Sequence, residues 1–270
     1  RKENEEKLDQ IPLTLTKRGI VEAFKMTHDG FAADRVIADP SLNSRFIEKC
    51  RQNCPIADAR TLNHILMRIR KAGQLAEIET TRRTTFTWED SDPYLFASEI
   101  AMQRLLVEEH ASSLDEILCD PVLAAQFDEI AGEFAPGFSA LEYRWAALAI
   151  RKQADKARGQ GIALVAPSRL GRQIPLHDLK IGDVPDTSGL YVFSAAEGKK
   201  PDRLYVGETL NLKQRLRGQK KSFAEWSRIA ENIVVQLLPL DTSGAKELAW
   251  QSCLIKKYRP ALNYSKLGTA

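Results

Sequence analysis

Gly189-Leu190-Tyr191-Val192-Phe193 and Arg203-Leu204-Tyr205-Val206-Gly207 are two short runs of aliphatic and aromatic residues, and the pattern of the chain changes at them. Each reads as a strand, and Ile233 to Leu240 reads as a third. A helix follows the second strand, carrying Leu212, Arg215 and Leu216. Near the C-terminus, Leu248, Gln251, Ile255 and Tyr258 fall within about 60° of one another on a helix turning about 100° per residue. Gln251 lies near the middle of this otherwise apolar stripe, and a polar side chain on a buried face needs a reason.

Upstream, the stretch from Gly159 to Pro175 is interspersed with Gly, Pro and Ser and reads as a linker, centred on residues 161–174. Residues 1–160 read as almost entirely helical. Apolar positions recur at three and four, and Asp-Pro pairs mark helix starts, because proline at the first helical position lacks only an N–H that would have no intrahelical partner. At an offset of 81 residues, Asp34, Asp39, Pro40, Leu42, Phe46, Glu48, Pro55, Ala59, Ile69, Arg70 and Lys71 match their counterparts from Asp115 to Lys152, giving 11 identities over 38 gapless positions. The region is therefore expected to hold two copies of one helical module, about 17–73 and 98–154. Between them, Thr80 to Trp88 is rich in β-branched and aromatic residues and predicts a short hairpin or wing, with Arg82 and Arg83 as candidate phosphate contacts.

A chain of 270 residues with 43% apolar content can bury a substantial core and favours two domains over one. No apolar run approaches the roughly 20 residues of a membrane span, and the opening Arg-Lys-Glu-Asn-Glu-Glu-Lys has no apolar signal segment. A cytoplasmic protein with no membrane partner is the expectation. Cys50, Cys54, Cys119 and Cys253 form neither a disulfide framework nor paired zinc spacings; Cys50 and Cys54 share a helix face in principle, but ordinary buried thiols are the simpler reading. The net charge of +3 divides unevenly: residues 171–270 hold 16 Lys+Arg against 10 Asp+Glu, and residues 1–170 hold 23 against 26. A polyanion would be drawn to the C-terminal part.

Gly189-Leu190-Tyr191, Tyr205-Val206-Gly207 fourteen residues later, Asn211-Leu212-Lys213-Gln214-Arg215-Leu216, and Leu254-Ile255-Lys256-Lys257-Tyr258-Arg259-Pro260-Ala261-Leu262-Asn263 together resemble the GIY-YIG nuclease family. The resemblance covers about residues 175–265. It implies a small α/β domain, residues 175–270, with a three-stranded antiparallel sheet flanked by helices, and with the all-α region of two repeats read upstream the whole is expected to be an α+β protein. It also implies a magnesium-dependent DNA endonuclease, with restriction or defence against foreign DNA as the favoured setting and the helical repeats selecting target or protein partner. The other class left open is a cleavage-incompetent nucleic-acid-binding or assembly subunit.

Phosphodiester hydrolysis requires a water in line with the leaving oxygen, an acceptor for its proton, and positive charge to meet the charge building on phosphate. By the resemblance, Tyr191 and Tyr205 project into the site from adjacent strands, with Tyr191 as the base. A phenol of ordinary pKa near 10 is a poor base, so that role requires nearby positive charge. Arg215, ten residues beyond Tyr205, has the spacing of the family's arginine; at the border of the apolar face, its guanidinium is expected to hold two phosphate oxygens. Arg217, Lys220 and Lys221 extend a basic edge along the nucleic-acid backbone. Asn263 is expected to orient the site by hydrogen bonds, and Gln219 departs from the tyrosine or histidine of several family members.

Gln251 stands where the family's metal ligand is a glutamate. Magnesium prefers charged oxygen ligands, so a neutral amide implies weak or absent metal binding and impaired cleavage with folding and DNA binding kept. A Glu-to-Gln exchange is a conservative way to inactivate such a site, and position 251 reads as one. Glu247, one turn earlier, is the substitute carboxylate to consider.

Overall fold

The computed structural model describes residues 13–53, 57–108, 111–161, 170–195, 202–225, 232–240 and 250–263 apart from 252 and 256. Eight α-helices precede the sheet among these: α1 Leu13–Thr27, α2 Ala33–Ala38, α3 Pro40–Asn53, α4 Ala59–Lys71, α5 Trp88–Glu108, α6 Leu114–Cys119, α7 Pro121–Phe134 and α8 Ala140–Gly161. Then come β1 Ile174–Pro175, a 3-10 turn Ile181–Asp183, β2 Gly189–Ala195, β3 Asp202–Thr209, α9 Leu212–Glu225 and β4 Ile233–Pro239. Helical residues recur between 250 and 258.

Helix boundaries recur at the offset of 81: α2, α3 and α4 begin at 33, 40 and 59, and α6, α7 and α8 at 114, 121 and 140. The capping chemistry repeats with them. Asp39 Oδ1 accepts from the Ser41 and Leu42 amides, and Asp120 Oδ1 from the Val122 amide. Asp58 caps α4 through the Thr61 amide, and Ser139 caps α8 in a reciprocal box with Glu142.

The chain forms two compact units, Arg1–Phe86 with Ala111–Gln126, and Thr87–His110 with Phe127–Ala270. Of the expected linker at 161–174, residues 162–169 lie outside the described residues, as does Cys54. In the first unit, Leu42, Phe46, Leu62, Leu66, Ile69, Ile117 and Leu118 are buried. A polar contact crosses this core: Asn43 and Asn63 exchange amide hydrogen bonds at 2.8 and 3.2 Å, and Asn63 also donates to the Cys119 carbonyl. Burial pushes the Cys119 thiol up to about 12, as expected of a packing thiol. The expected hairpin at Thr80–Trp88 is not formed. Residues 79–87 carry no strand pairing, and the segment is tied by its side chains and one amide instead: Arg82 N–H donates to the Gly30 carbonyl, Arg35 to Thr84 Oγ1, and the Arg82 guanidinium stacks 4.4 Å from the Phe31 ring.

In the second unit the sheet is antiparallel with four strands, ordered β1-β4-β2-β3, where three were expected. The extra strand is the two-residue β1, too short to register as a periodic run. One face carries Leu190, Val192 and Val206, packed with Leu254, Trp250, Ile255 and Tyr258 from the C-terminal helix. The other carries Tyr191, Phe193 and Tyr205. Residues Tyr94 to Gln103 of α5 are all buried, so over this stretch the helix has no solvent face. Tyr94 packs on Phe138 and Tyr143, with ring centroids 4.4 and 6.0 Å apart. A reciprocal Thr87–Asp90 cap starts the helix.

Candidate active site

The site face is assembled by the β2–β3 register. Tyr191 lies opposite Gly207 and Phe193 opposite Tyr205, so both tyrosines emerge from one face, with ring centroids 6.0 Å apart. Gly207 is what permits this. A Cβ there would lie 1.9 Å from Tyr191 Cζ, so the ring rests directly on the backbone of the facing strand.

Helix α9 brings Arg215 and Gln219 to the same phenol. Asn211 Oδ1 caps the helix by accepting from the Gln214 amide, and Leu212 and Leu216 are fully buried. Arg215 Nη1 donates to Tyr191 OH at 3.0 Å, and Gln219 Nε2 donates to the same oxygen at 2.8 Å. Arg215 is 4% exposed, so it is buried where the sequence placed it at the border of the apolar face. The difference comes from α5, whose Asp92 forms an ion pair with Arg215 Nη2 and also accepts from Thr209 Oγ1. Phe96 of the same helix lies 5.8 Å from the guanidinium.

The second tyrosine is engaged by α5 as well. Tyr205 donates its hydroxyl to Glu99 Oε2 at 2.7 Å. Asn263 donates to Glu99 Oε1 at 3.1 Å and brackets Val206, accepting from its amide at 2.6 Å and donating to its carbonyl at 2.8 Å. It closes the outer edge of β3, since Leu262 and Ala261 amides bond the Leu204 and Arg203 carbonyls just before it.

Burial pushes the Tyr191 phenol up to about 12 in spite of the opposing pull of Arg215 and the Gln219 hydrogen bond. Tyr205 is raised well above its ordinary value, first by burial and then by the Glu99 carboxylate. Burial alone would lower Arg215, but Tyr191, Asp92 and Tyr205 together hold it further on the charged side. In this closed arrangement both phenols are therefore neutral hydrogen-bonding groups at neutral pH.

Gln251 is half-buried and donates through Nε2 to the Val206 carbonyl at 3.1 Å, sharing that acceptor with Asn263. The apolar contacts of its helix are made by Trp250, Leu254, Ile255 and Tyr258. A hard divalent cation requires charged oxygen, and this neutral amide, with its nitrogen committed to the β3 edge, does not fit one. Glu247 lies outside the described residues. Arg217 and Lys221 are exposed, whereas Lys220 donates to the His177 and Leu179 carbonyls at 3.1 and 2.6 Å, tying α9 to the turn before Ile181. Arg82 and Arg83, in the other unit, are exposed.

Asp92 and Glu99 were not singled out by the sequence reading. A signal for Glu99 exists, since it interrupts the run Leu95-Phe96-Ala97-Ser98-Glu99-Ile100-Ala101-Met102. Asp92 lies among other acidic residues at a helix start, where carboxylates are ordinary. No family model, curated protein or solved structure matches the chain. Among the described residues, no helix is long and apolar enough to cross a membrane.

Proposed function

We propose that this chain is a GIY-YIG-type DNA endonuclease whose cleavage is impaired by Gln251. The observation that carries the reading is the meeting of Arg215 with Tyr191 at 3.0 Å on the face cleared by Gly207, from two adjacent strands and the helix that follows them. A guanidinium beside a phenol offers the two things phosphodiester hydrolysis needs from side chains: fixed positive charge for the phosphate oxygens and a polar oxygen able to orient water. Gln219 turns the Tyr191 oxygen by donating to it, and Asn263 holds the β3 edge in register. Arg217 and Lys221 supply exposed charge for the nucleic-acid backbone. Restriction or defence against foreign DNA is the setting this reading favours, with the helical modules choosing the target or a protein partner.

If Gln251 is the native residue, the reading becomes a nucleic-acid-binding subunit that does not cut, and the neutral amide bonded to Val206 favours that second form. Both forms predict DNA binding and little cleavage by the chain as it stands. Gln251→Glu should produce magnesium-dependent cleavage of duplex DNA, because the carboxylate would supply the charged oxygen that such an ion requires. The gain should appear in the single-turnover rate rather than in DNA affinity. Robust cleavage by the unaltered chain, unimproved by the substitution, would move the catalytic carboxylate to another residue.

A further inference from the structure

We infer that helix α5 is a built-in occupant of the phosphate site, holding it closed until nucleic acid displaces it; the inference rests on the nuclease-type reading above. Asp92 and Glu99 are seven residues apart, two helical turns, and so share the face that α5 turns to the sheet. Phe96 lies between them, against Arg215. Asp92 takes Arg215 Nη2 and Thr209, and Glu99 takes Tyr205 and Asn263. Four polar groups of the site are thereby paired with two carboxylates.

The guanidinium shows the competition most clearly. A phosphate held as a fork needs two parallel N–H donors from one arginine. Arg215 Nη1 is committed to Tyr191 and Nη2 to Asp92, while Nε is buried with no acceptor among the described residues. A phosphodiester taking Nε and Nη2 together must remove Asp92, and an anionic backbone entering beside two carboxylates meets like charge. The pairing is good enough to keep the face closed, with Arg215 and Asp92 side chains 2% and 14% exposed. Nucleic acid offers the same donors a richer set of charged oxygens, so it shifts the balance towards the open form in proportion to its preference for that form.

The test measures binding of a fluorescein-labelled duplex oligonucleotide in EDTA to the full chain. Asp92→Asn keeps the shape and removes the charge; it should tighten binding by about tenfold, as expected when a competing closed state is depopulated. Adding Arg215→Ala should abolish that gain. Hydroxyl-radical labelling of the unaltered chain supplies a readout independent of the variant's folding: Phe96, 2% exposed, should become more reactive as DNA binds. DNA binding by the unaltered chain with no change at Phe96, or with Asp92→Asn binding equally or more weakly, overturns the closed-state inference and leaves the nuclease-type reading intact. Absence of binding by both chains overturns the two together.

Discussion

In a chain that carries Gln251→Glu, replacing Arg215 with alanine should lower the single-turnover rate of DNA cleavage by about two to three orders of magnitude, the loss typical of removing one preorganised electrostatic stabiliser. The expectation follows from the 3.0 Å contact with Tyr191 and from the burial that strengthens any charge interaction at this position. The same substitution has a structural cost. It takes the cationic partner from the Asp92 carboxylate and leaves it the Thr209 hydroxyl, and breaking one side of a buried pair costs about 3–5 kcal/mol. Asp92→Asn combined with Arg215→Ala removes both charges, so the double variant should regain much of the stability while cleavage stays lost. Recovery of cleavage along with stability would assign Arg215 a purely structural role.

Gly207→Ala should be the most damaging small substitution in the second unit. The added Cβ would overlap the Tyr191 ring at Cζ, and the ring cannot swing away without breaking the bonds that Arg215 and Gln219 make to its oxygen. Overpacking of a well-filled core costs about 1–3 kcal/mol, and the obstruction here is a ring pinned at both ends, so a loss at or above the top of that range is expected. Urea denaturation of the full chain measures it. Gly218→Ala is the control, because no described residue lies within contact of a Cβ at that helical position, and alanine there should be neutral to stabilising. Equal midpoints for the Gly207 variant and the parent would mean that Tyr191 does not rest on the β3 backbone.

The strand pair was legible because Tyr191 and Tyr205 lie in short runs of aliphatic and aromatic residues, and the helix starts at Pro40 and Pro121 because an internal offset of 81 preserves the Asp-Pro pairs. Local pattern carries such information well. The resemblance singled out Arg215, Tyr191 and Asn263, and the structure brings Arg215 to Tyr191 and Asn263 to the β3 edge. What the pattern did not carry is which helix covers the face. The partnership of Asp92 with Arg215 spans 123 residues, and that of Glu99 with Tyr205 spans 106. Such pairings leave no periodic trace. The same reasoning applies to Lys220, which reads as one more surface cation until its carbonyl partners at residues 177 and 179 are known. The missing hairpin at Thr80–Trp88 shows the converse: β-branched composition favours extended backbone, but a strand also needs a neighbour to pair with.

Whether Arg215 meets the phosphodiester backbone is reported directly by its side-chain Nε–H nuclear resonance. The signal is assigned by its loss in Arg215→Lys and followed while duplex DNA is added to the full chain without metal. It should shift and saturate in step with binding, as a phosphate oxygen becomes the acceptor for a buried N–H that has none among the described residues. DNA that binds, as seen from backbone amides elsewhere, while the Arg215 signal stays where it was would contradict the account.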